Sequence, residues 1–259
     1  MLADFFYISL MDNERNLYGL VGRNISYSFS QGYFTEKFKS LQLDNYEYRN
    51  FHIEDISKLE QLITDNPDLK GLNVTIPYKE AVIPLLGSLS DKAARIGAVN
   101  TIRFTKKGKL KGYNTDWIGF KKSLQLMLQP HHKKALILGT GGASKAVAFA
   151  LADLGILYTF VSREATENAI AYSRINATTF DNHQIIINCT PLGTSPNVTE
   201  CPEIPYGFFT SKHIAFDLIY NPEETEFLKR AKSFGAATKN GYEMLVVQAE
   251  KAWQIWNKH

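Results

Sequence analysis

The sequence predicts an α/β protein. Three observations carry that expectation. Short apolar runs alternate with segments of helical spacing along the whole chain. A glycine-rich turn follows one such run and opens an Ala-rich helix. The 259 residues are 44% hydrophobic and 21% charged, an ordinary globular composition with length enough for one large domain or two small ones. The alternation implies a parallel sheet covered on both faces. There are no internal repeats and no low-complexity segments.

Charge and cysteine usage exclude several classes. A formal net charge of +3 without a Lys/Arg block argues against a nucleic-acid or anionic-membrane partner. No stretch reaches the ~18–20 apolar residues of a membrane span. Cys189 and Cys201 have neither metal spacing nor a disulfide framework, so no metal is expected and the reducing cytoplasm is the default. "MLADFFYISLM" lacks a basic leader and a cleavage site. The residues before Met11 read as an extension from an upstream start codon, which N-terminal sequencing would test.

The first half alternates strand and helix. "NLYGLVG" (Asn16 to Gly22) is a strand ending in Gly. "SQGYFTEKFKSL" is a helix. "NYEYRNFHI" is a strand with Tyr46, Tyr48 and Phe51 as candidate buried positions. "IEDISKLEQLITD" places Ile53, Ile56, Leu59, Leu62 and Ile63 at helical spacing, and Asn66-Pro67 ends it. "LKGLNVTIP" is a strand leading into a helix at "YKEAVIPLL". "AVNTIRFTKKGKLKGYNTD" is two strands around a Lys-Gly turn. A domain boundary falls between about Asp116 and His132, where "QPHHKK" precedes a fresh βαβ start.

The second half opens with "KKALILGTGGASKAVAFALADLG". Gly139 allows the tight turn, Gly141 lets backbone approach a pyrophosphate, and Gly142 and Ala143 begin a helix whose N-terminus offers N–H groups. Ser144 stands where the third glycine of G-x-G-x-x-G belongs. The next strand, "LYTFV", ends in Ser162-Arg163. An NAD site carries Asp or Glu at that place, whereas an Arg suits the 2′-phosphate of NADP. Glu164 beside it keeps NAD open. "QIIINCTPLG" and "HIAFDLIYNP" are further strands, and Asn188 and Thr190 sit at a C-terminal strand end where α/β ligands bind. Cys189 reads as a small buried hydrophobe.

The stretches "YGLVGRNISYSFSQGYFTEKF", "GLNVTIPYKEAVIPLL", "IGAVNTI", "GYNTDWIGF", "LGTGGASKAVAFAL", "INCTPLGTSP", "DLIYNPEETEFL" and "NGYEMLVVQAEKAW" occur in the order seen in the shikimate dehydrogenase family. The chain resembles that family from about Tyr18 to Trp256. The resemblance implies two α/β domains: an N-terminal substrate-binding domain (1–115 plus 242–259, with the last helix returning to it) and a Rossmann-like NADP-binding domain (116–241), with the active site in the cleft between them. It implies NADPH-dependent reduction of 3-dehydroshikimate to shikimate, in the route to chorismate and the aromatic amino acids. The family's catalytic Lys and Asp fall on Lys79 and Asp116. Its substrate positions fall on Ser28, Ser30, Thr75, Asn100, Tyr220 and Gln248. Cofactor contact is expected at Gly139, Gly141, Gly142, Ala143, Ser162, Arg163, Thr190 and Gly241. The partner is a small-molecule substrate, and the assembly a monomer or homodimer.

The chemistry asks for such residues. Reducing a ketone makes an alkoxide that must be protonated, and a positioned acid contributes ~10²–10⁴-fold. An ammonium can stabilise the oxygen and yield a proton, and a neighbouring carboxylate holds it charged. Lys79 is read as the principal acid/base and Asp116 as its orienting partner, though the pair can titrate as a unit. Without the resemblance, Asp116 in "NTDWIGF" reads as a helix cap and Lys79 as a surface charge. Ser28 and Ser30 alternate in "SYSFS", so in extended chain they point the same way, with Ser26 joining them. Thr75 would share a strand face with Asn73. Met244 and Gln248 share a helix face; Met244, Val247 and Ala252 read as core. Gly241 allows close approach to the nicotinamide.

Several positions depart from the family's usual pattern. Asn24, Tyr27 and Gln31 stand where Pro, His and Pro are usual. "SREATEN" keeps one basic residue of the cofactor-selecting loop. Trp117 replaces a small residue. The alternatives are a quinate/shikimate dehydrogenase with NAD or dual cofactor use, and a non-catalytic NADP-binding regulator on the same fold.

Overall fold

A computed structural model describes residues 15–25 and 28–258. Ser26, Tyr27 and the stretch up to Met11 lie outside the described residues. The chain forms two compact units. One runs to Asn114 and resumes at Ala249; the other is Thr115–Gln248.

The first unit contains β1 (Asn16–Gly22), α1 (Phe29–Ser40), β2 (Tyr46–His52), α2 (Leu59–Asp65), β3 (Leu69–Val74), α3 (Tyr78–Ala81), β4 (Ser88–Leu89), α4 (Asp91–Ile96), β5 (Thr101–Phe104) and β6 (Leu110–Tyr113). The strands order β2-β1-β3-β5-β6-β4. β1 lies parallel to β2 and β3, but β5 is antiparallel to both β3 and β6. The wholly parallel sheet expected from the alternation therefore fails in this unit. The Lys-Gly turn, with Gly108 at φ +70, is too short for a crossover and closes a hairpin instead.

Period-two alternation on β1 builds a core on each face of this sheet. Leu17 and Val21 join Leu59, Leu72, Val74 and Ile102. Tyr18 and Leu20 join Phe34, Phe38, Tyr48, Ala252 and Trp256. Of the expected buried positions on β2, Tyr48 is buried, while Tyr46 and Phe51 are half-buried against opposite cores.

Three local expectations change. Ser28 is extended (φ −144, ψ 148) and caps α1, so Ser30 already lies inside the helix and the two serines do not alternate on an extended chain. Helical structure after β2 starts at Ile56 rather than Ile53, because Asp55 accepts from the Ser57 N–H at 2.8 Å and caps a 3₁₀ turn there. The helix read across "YKEAVIPLL" is a single turn, α3, followed by a 3₁₀ turn at Ile83–Leu85. Pro84 cannot donate the N–H that a continuing α-helix needs.

The second unit contains α5 (Asp116–Gln125), β7 (Lys134–Leu138), α6 (Gly142–Asp153), β8 (Leu157–Ser162), β9 (Ala169–Ala171), α7 (Ala177–Asn182), β10 (Ile185–Asn188), β11 (Ile214–Asp217), α8 (Glu226–Ser233), β12 (Ala237–Lys239) and the start of α9 (Tyr242–Trp256), whose residues from Ala249 belong to the first unit. Every pairing in the order β12-β11-β10-β7-β8-β9 is parallel. The order reverses at β7, which lies between β8 and β10. That is the doubly wound arrangement with its ligand-binding switch point at the strands' C-terminal ends. Leu136, Ile137, Ile186 and Ile187 are all fully buried, as apolar runs in a two-sided parallel sheet must be.

Candidate active site

In the first unit, Thr75, Lys79 and Asn100 gather at the C-terminal end of β3. Thr75 lies one residue past the strand, so it does not share a strand face with Asn73. Its backbone N–H donates to the Val21 carbonyl at 2.9 Å and its carbonyl accepts from Tyr78 at 2.9 Å. Lys79 is half-buried on α3, and its carbonyl accepts from the Val99 N–H at 2.7 Å. Asn100 is 3% exposed. Its carbonyl accepts from Val74 at 2.9 Å, and its Oδ1 accepts from the Thr101 hydroxyl at 3.0 Å. Asn73, buried beside them, accepts from the Tyr48 hydroxyl at 2.8 Å and donates to the Asn100 carbonyl at 3.1 Å. A short helix, two strand ends and a buried amide network thus fix the backbone at these residues without a long flexible loop.

Ser28 and Ser30 occupy the N-terminal turn of α1. Ser28 Oγ accepts from the Gln31 N–H at 3.1 Å and donates to Asn50 Oδ1 at 2.7 Å. Asn50 Nδ2 donates in turn to Gln31 Oε1 at 2.9 Å. The three residues close a ring. A proline at position 31, usual in the family, has no N–H and could not make the first of these bonds. Asn50 is a partner of Ser28 that none of the motifs marks. A signal is nonetheless available, because alternation puts it on the same face of β2 as Tyr46 and Tyr48.

In the second unit, Asp116 is the first residue of α5 and is 5% exposed. Thr115, not Asp116, is the cap residue, and no side-chain cap bond forms. An acidic residue in a first turn is favoured by the helix dipole. Gln248, 5% exposed, accepts from the Thr115 hydroxyl at 3.3 Å. Gly119 allows this approach: a Cβ there would lie 2.5 Å from the Met244 carbonyl and 3.3 Å from Gln248 Cβ. Met244 and Ala252 are buried as expected of core, and Val247 is half-buried. Trp117 packs edge-on against Phe149, ring centroids 5.4 Å apart. Lys79 and Asp116 belong to different units.

The glycine turn has the local form a pyrophosphate needs. Gly139 leaves β7 at φ +104, a conformation side chains disfavour. Gly141 sits at the N-terminus of α6 in extended backbone, and a Cβ there would meet nothing within 4 Å. Neither packing nor dihedral angle demands glycine at 141, and the space beside it is open. Gly142 and Ala143 form the first turn, which contains no acidic residue and no side-chain cap. Ser144 takes the third glycine's place while fully buried, its hydroxyl donating back to the Gly141 carbonyl at 2.5 Å. The residues present therefore fit a dinucleotide.

At the end of β8, Arg163 and Glu164 are exposed, and the Ser162 hydroxyl donates to the Glu164 carbonyl. After β10, Asn188 accepts from both the backbone N–H and the hydroxyl of Thr190, at 3.0 and 2.6 Å. Burial and the nearby Asp217 raise the Cys189 thiol well above its ordinary value, consistent with an inert residue. Tyr220 is half-buried just past β11. Gly241 precedes α9, and a Cβ there would fall 2.0 Å from the Leu218 carbonyl. Packing alone therefore explains that glycine. Among the described residues no His/Cys/Asp/Glu group could hold a metal, and no helix is long and apolar enough to cross a membrane.

Comparison with known proteins identifies the family. Residues 20–102 match the family model for the shikimate dehydrogenase substrate binding domain. The shikimate dehydrogenase (NADP(+)) of Methanosphaera stadtmanae is 39% identical over 257 residues, covering 92% of this chain and 90% of that protein. The crystal structure of shikimate dehydrogenase from Aquifex aeolicus superposes with a TM-score of 0.81 at 35% identity, covering 94% of this chain and 92% of the other. Shikimate 5-dehydrogenase from Thermus thermophilus, solved in complex with NADP(H) and shikimate, gives 0.82 at 29% identity and 93% coverage of both. The chain belongs to the shikimate dehydrogenase family.

Proposed function

We propose that the chain catalyses the reversible NADPH-dependent reduction of 3-dehydroshikimate to shikimate, in the route to chorismate and the aromatic amino acids. The observation that carries this reading is the grouping of Thr75, Lys79 and Asn100 at the end of β3, in a chain that also holds an open glycine cradle for a dinucleotide. When bound, NADPH supplies the hydride. Lys79 stabilises the alkoxide oxygen and returns a proton to it. Asp116 binds a ring hydroxyl of the substrate. Ser28 and Ser30 donate to the substrate carboxylate, while Thr75, Asn100, Tyr220 and Gln248 take the ring hydroxyls. A site of this kind rejects an analogue lacking a hydroxyl, because its polar groups would be left unpaired.

We assign the cofactor to Gly139, Gly141, Gly142, Ala143, Ser162, Arg163, Thr190 and Gly241, with Arg163 forking onto the 2′-phosphate of NADP. We further assign the enzyme to the cytoplasm, as a monomer or homodimer. Glu164 and Glu167, both exposed near Arg163, favour a second reading, a quinate/shikimate dehydrogenase with NAD or dual use. The presence of Lys79 and Asp116 argues against a non-catalytic regulator. Initial rates of nicotinamide reduction with shikimate or quinate, each with NADP or NAD, decide the matter. The expected result is the highest kcat/KM for shikimate with NADP. A higher value for quinate with NAD would replace this reading by the second.

A further inference from the structure

Asp217 is fully buried at the C-terminal end of β11, and neither hydride nor proton transfer uses it. Its two oxygens tie several segments together. Oδ1 accepts from Asn188 Nδ2 at 3.1 Å and from the Ile219 N–H at 3.0 Å. Oδ2 accepts from the Thr225 hydroxyl at 2.6 Å, and Thr225 caps α8 by accepting from the Leu228 N–H at 3.3 Å. A buried charge is costly unless it is hydrogen-bonded. Burial raises this carboxyl to about 6 against the opposing pull of its three donors.

The consequence lies in which way Asn188 faces. An amide can present either its oxygen or its nitrogen, but an ionised carboxylate only accepts. Asp217, with the more distant Leu192 carbonyl at 3.4 Å, therefore holds Nδ2 of Asn188 on its side and leaves Oδ1 turned toward Thr190. Both donors of Thr190, backbone and hydroxyl, end on that oxygen. The Thr190 hydroxyl then accepts from the Leu192 N–H at 3.3 Å, which fixes the next turn of the loop. Tyr220 follows directly on Ile219, whose N–H the same carboxylate holds. Thr190 and the backbone leading into Tyr220 are thus tied to one acid.

We propose that Asp217 is a positioning residue for cofactor binding, acting through the Asn188 amide on Thr190. The proposal rests on the assignment of Thr190 to the cofactor. NADP dissociation constants from isothermal titration calorimetry on the full-length chain test it, for Asp217→Ala, Asn188→Ala and Thr190→Ala singly and combined. Asp217→Ala is expected to weaken NADP about tenfold alone, but about twofold or less in the Thr190→Ala background, a coupling typical of one hydrogen-bonded network. Asp217→Asn, which keeps an acceptor, should recover part of the loss. If Asp217→Ala does not fold, Asn188→Ala reads the same link, since it leaves the bonds of Asp217 to Ile219 and Thr225 in place. Equal losses in both backgrounds would overturn the link and leave Thr190 a cofactor residue. Unchanged affinity in Thr190→Ala would overturn the assignment of Thr190 and the proposal with it.

Discussion

Two helix N-termini in this chain handle the same electrostatics in opposite ways. The first turn of α1 is closed: Ser28 caps it, and Asn50 and Gln31 complete a ring around the Ser28 hydroxyl. The first turn of α6 is open, with glycine at its cap, no side-chain bond and empty space where a Cβ would be. A closed turn offers a ligand oriented side-chain hydroxyls. An open turn offers backbone N–H groups and the positive end of the dipole. The first suits a small carboxylate with a fixed shape, the second a pyrophosphate common to many cofactors. On the assignment proposed above, selectivity for substrate and generality toward cofactor would be built from one structural element. If this division holds, lesions in the first unit alter chemistry or substrate affinity, and lesions at the α6 turn alter cofactor affinity alone.

The largest effect should come from Lys79→Ala. Loss of the acid should lower kcat ~10²–10⁴-fold, with NADP affinity unchanged. Steady-state rates and calorimetric NADP binding on the same preparation check this. Weakened NADP binding would break the division, and an intact kcat would remove Lys79 from the chemistry.

Next is Gly141→Asp, which separates stability from function. The backbone there (φ −79, ψ −177) suits any residue, and Asp is a favoured cap. The better cap should make the variant more stable by a few tenths of a kcal/mol in urea. It should nevertheless bind NADP about thirtyfold more weakly, since its carboxylate occupies the N–H groups and repels the pyrophosphate. Unchanged affinity would mean that the open turn is not the phosphate site.

Asp217 gives a smaller, pH-dependent effect. Its carboxyl is raised from 3.8 to about 6 in the folded chain. A raised carboxyl adds stability that is complete below the unfolded value and lost as pH rises through the folded one. Between pH 5 and pH 7.5 the wild type should therefore lose about 1.4 kcal/mol from this group. The difference in urea-unfolding free energy between the wild type and Asp217→Asn reads that loss, because other titrations cancel. A difference independent of pH would show that Asp217 has its ordinary affinity for protons.

The second unit is more legible in the sequence than the first. Apolar runs such as "ALIL" and "IIIN" in a two-sided parallel sheet leave little freedom, and the glycine turn marks where the sheet meets its ligand. In the first unit the sheet mixes directions, and its decisive contacts are side chain to side chain. "SYSFSQ" offers serines at alternating positions, and only the structure shows that Ser28 caps the helix through the Gln31 N–H while Asn50, distant in sequence, accepts from its hydroxyl. Asp217 is hidden for the same reason. A lone acid closing "IAFD" signals burial of a charge, but its partners Asn188 and Thr225 become visible only when β10, β11 and α8 come together.

The smallest effect expected is also the one that sharpens the comparison most. Asn50→Ala removes the acceptor of the Ser28 hydroxyl and the donor to Gln31 Oε1, while the Gln31 N–H cap remains. α1 keeps its start, so the fold should persist. The hydroxyl becomes free to rotate, and its orienting hydrogen bond is worth about 1 kcal/mol. KM for shikimate should rise about fivefold, with kcat and NADP affinity unchanged. The methyl ester of shikimate separates positioning from mere stability. If the ring serves the carboxylate, the ester, which lacks that charge, should show little penalty from the substitution. An equal rise for acid and ester would make Asn50 a prop for the fold, and the closed turn of α1 would then owe its form to stability rather than to substrate recognition.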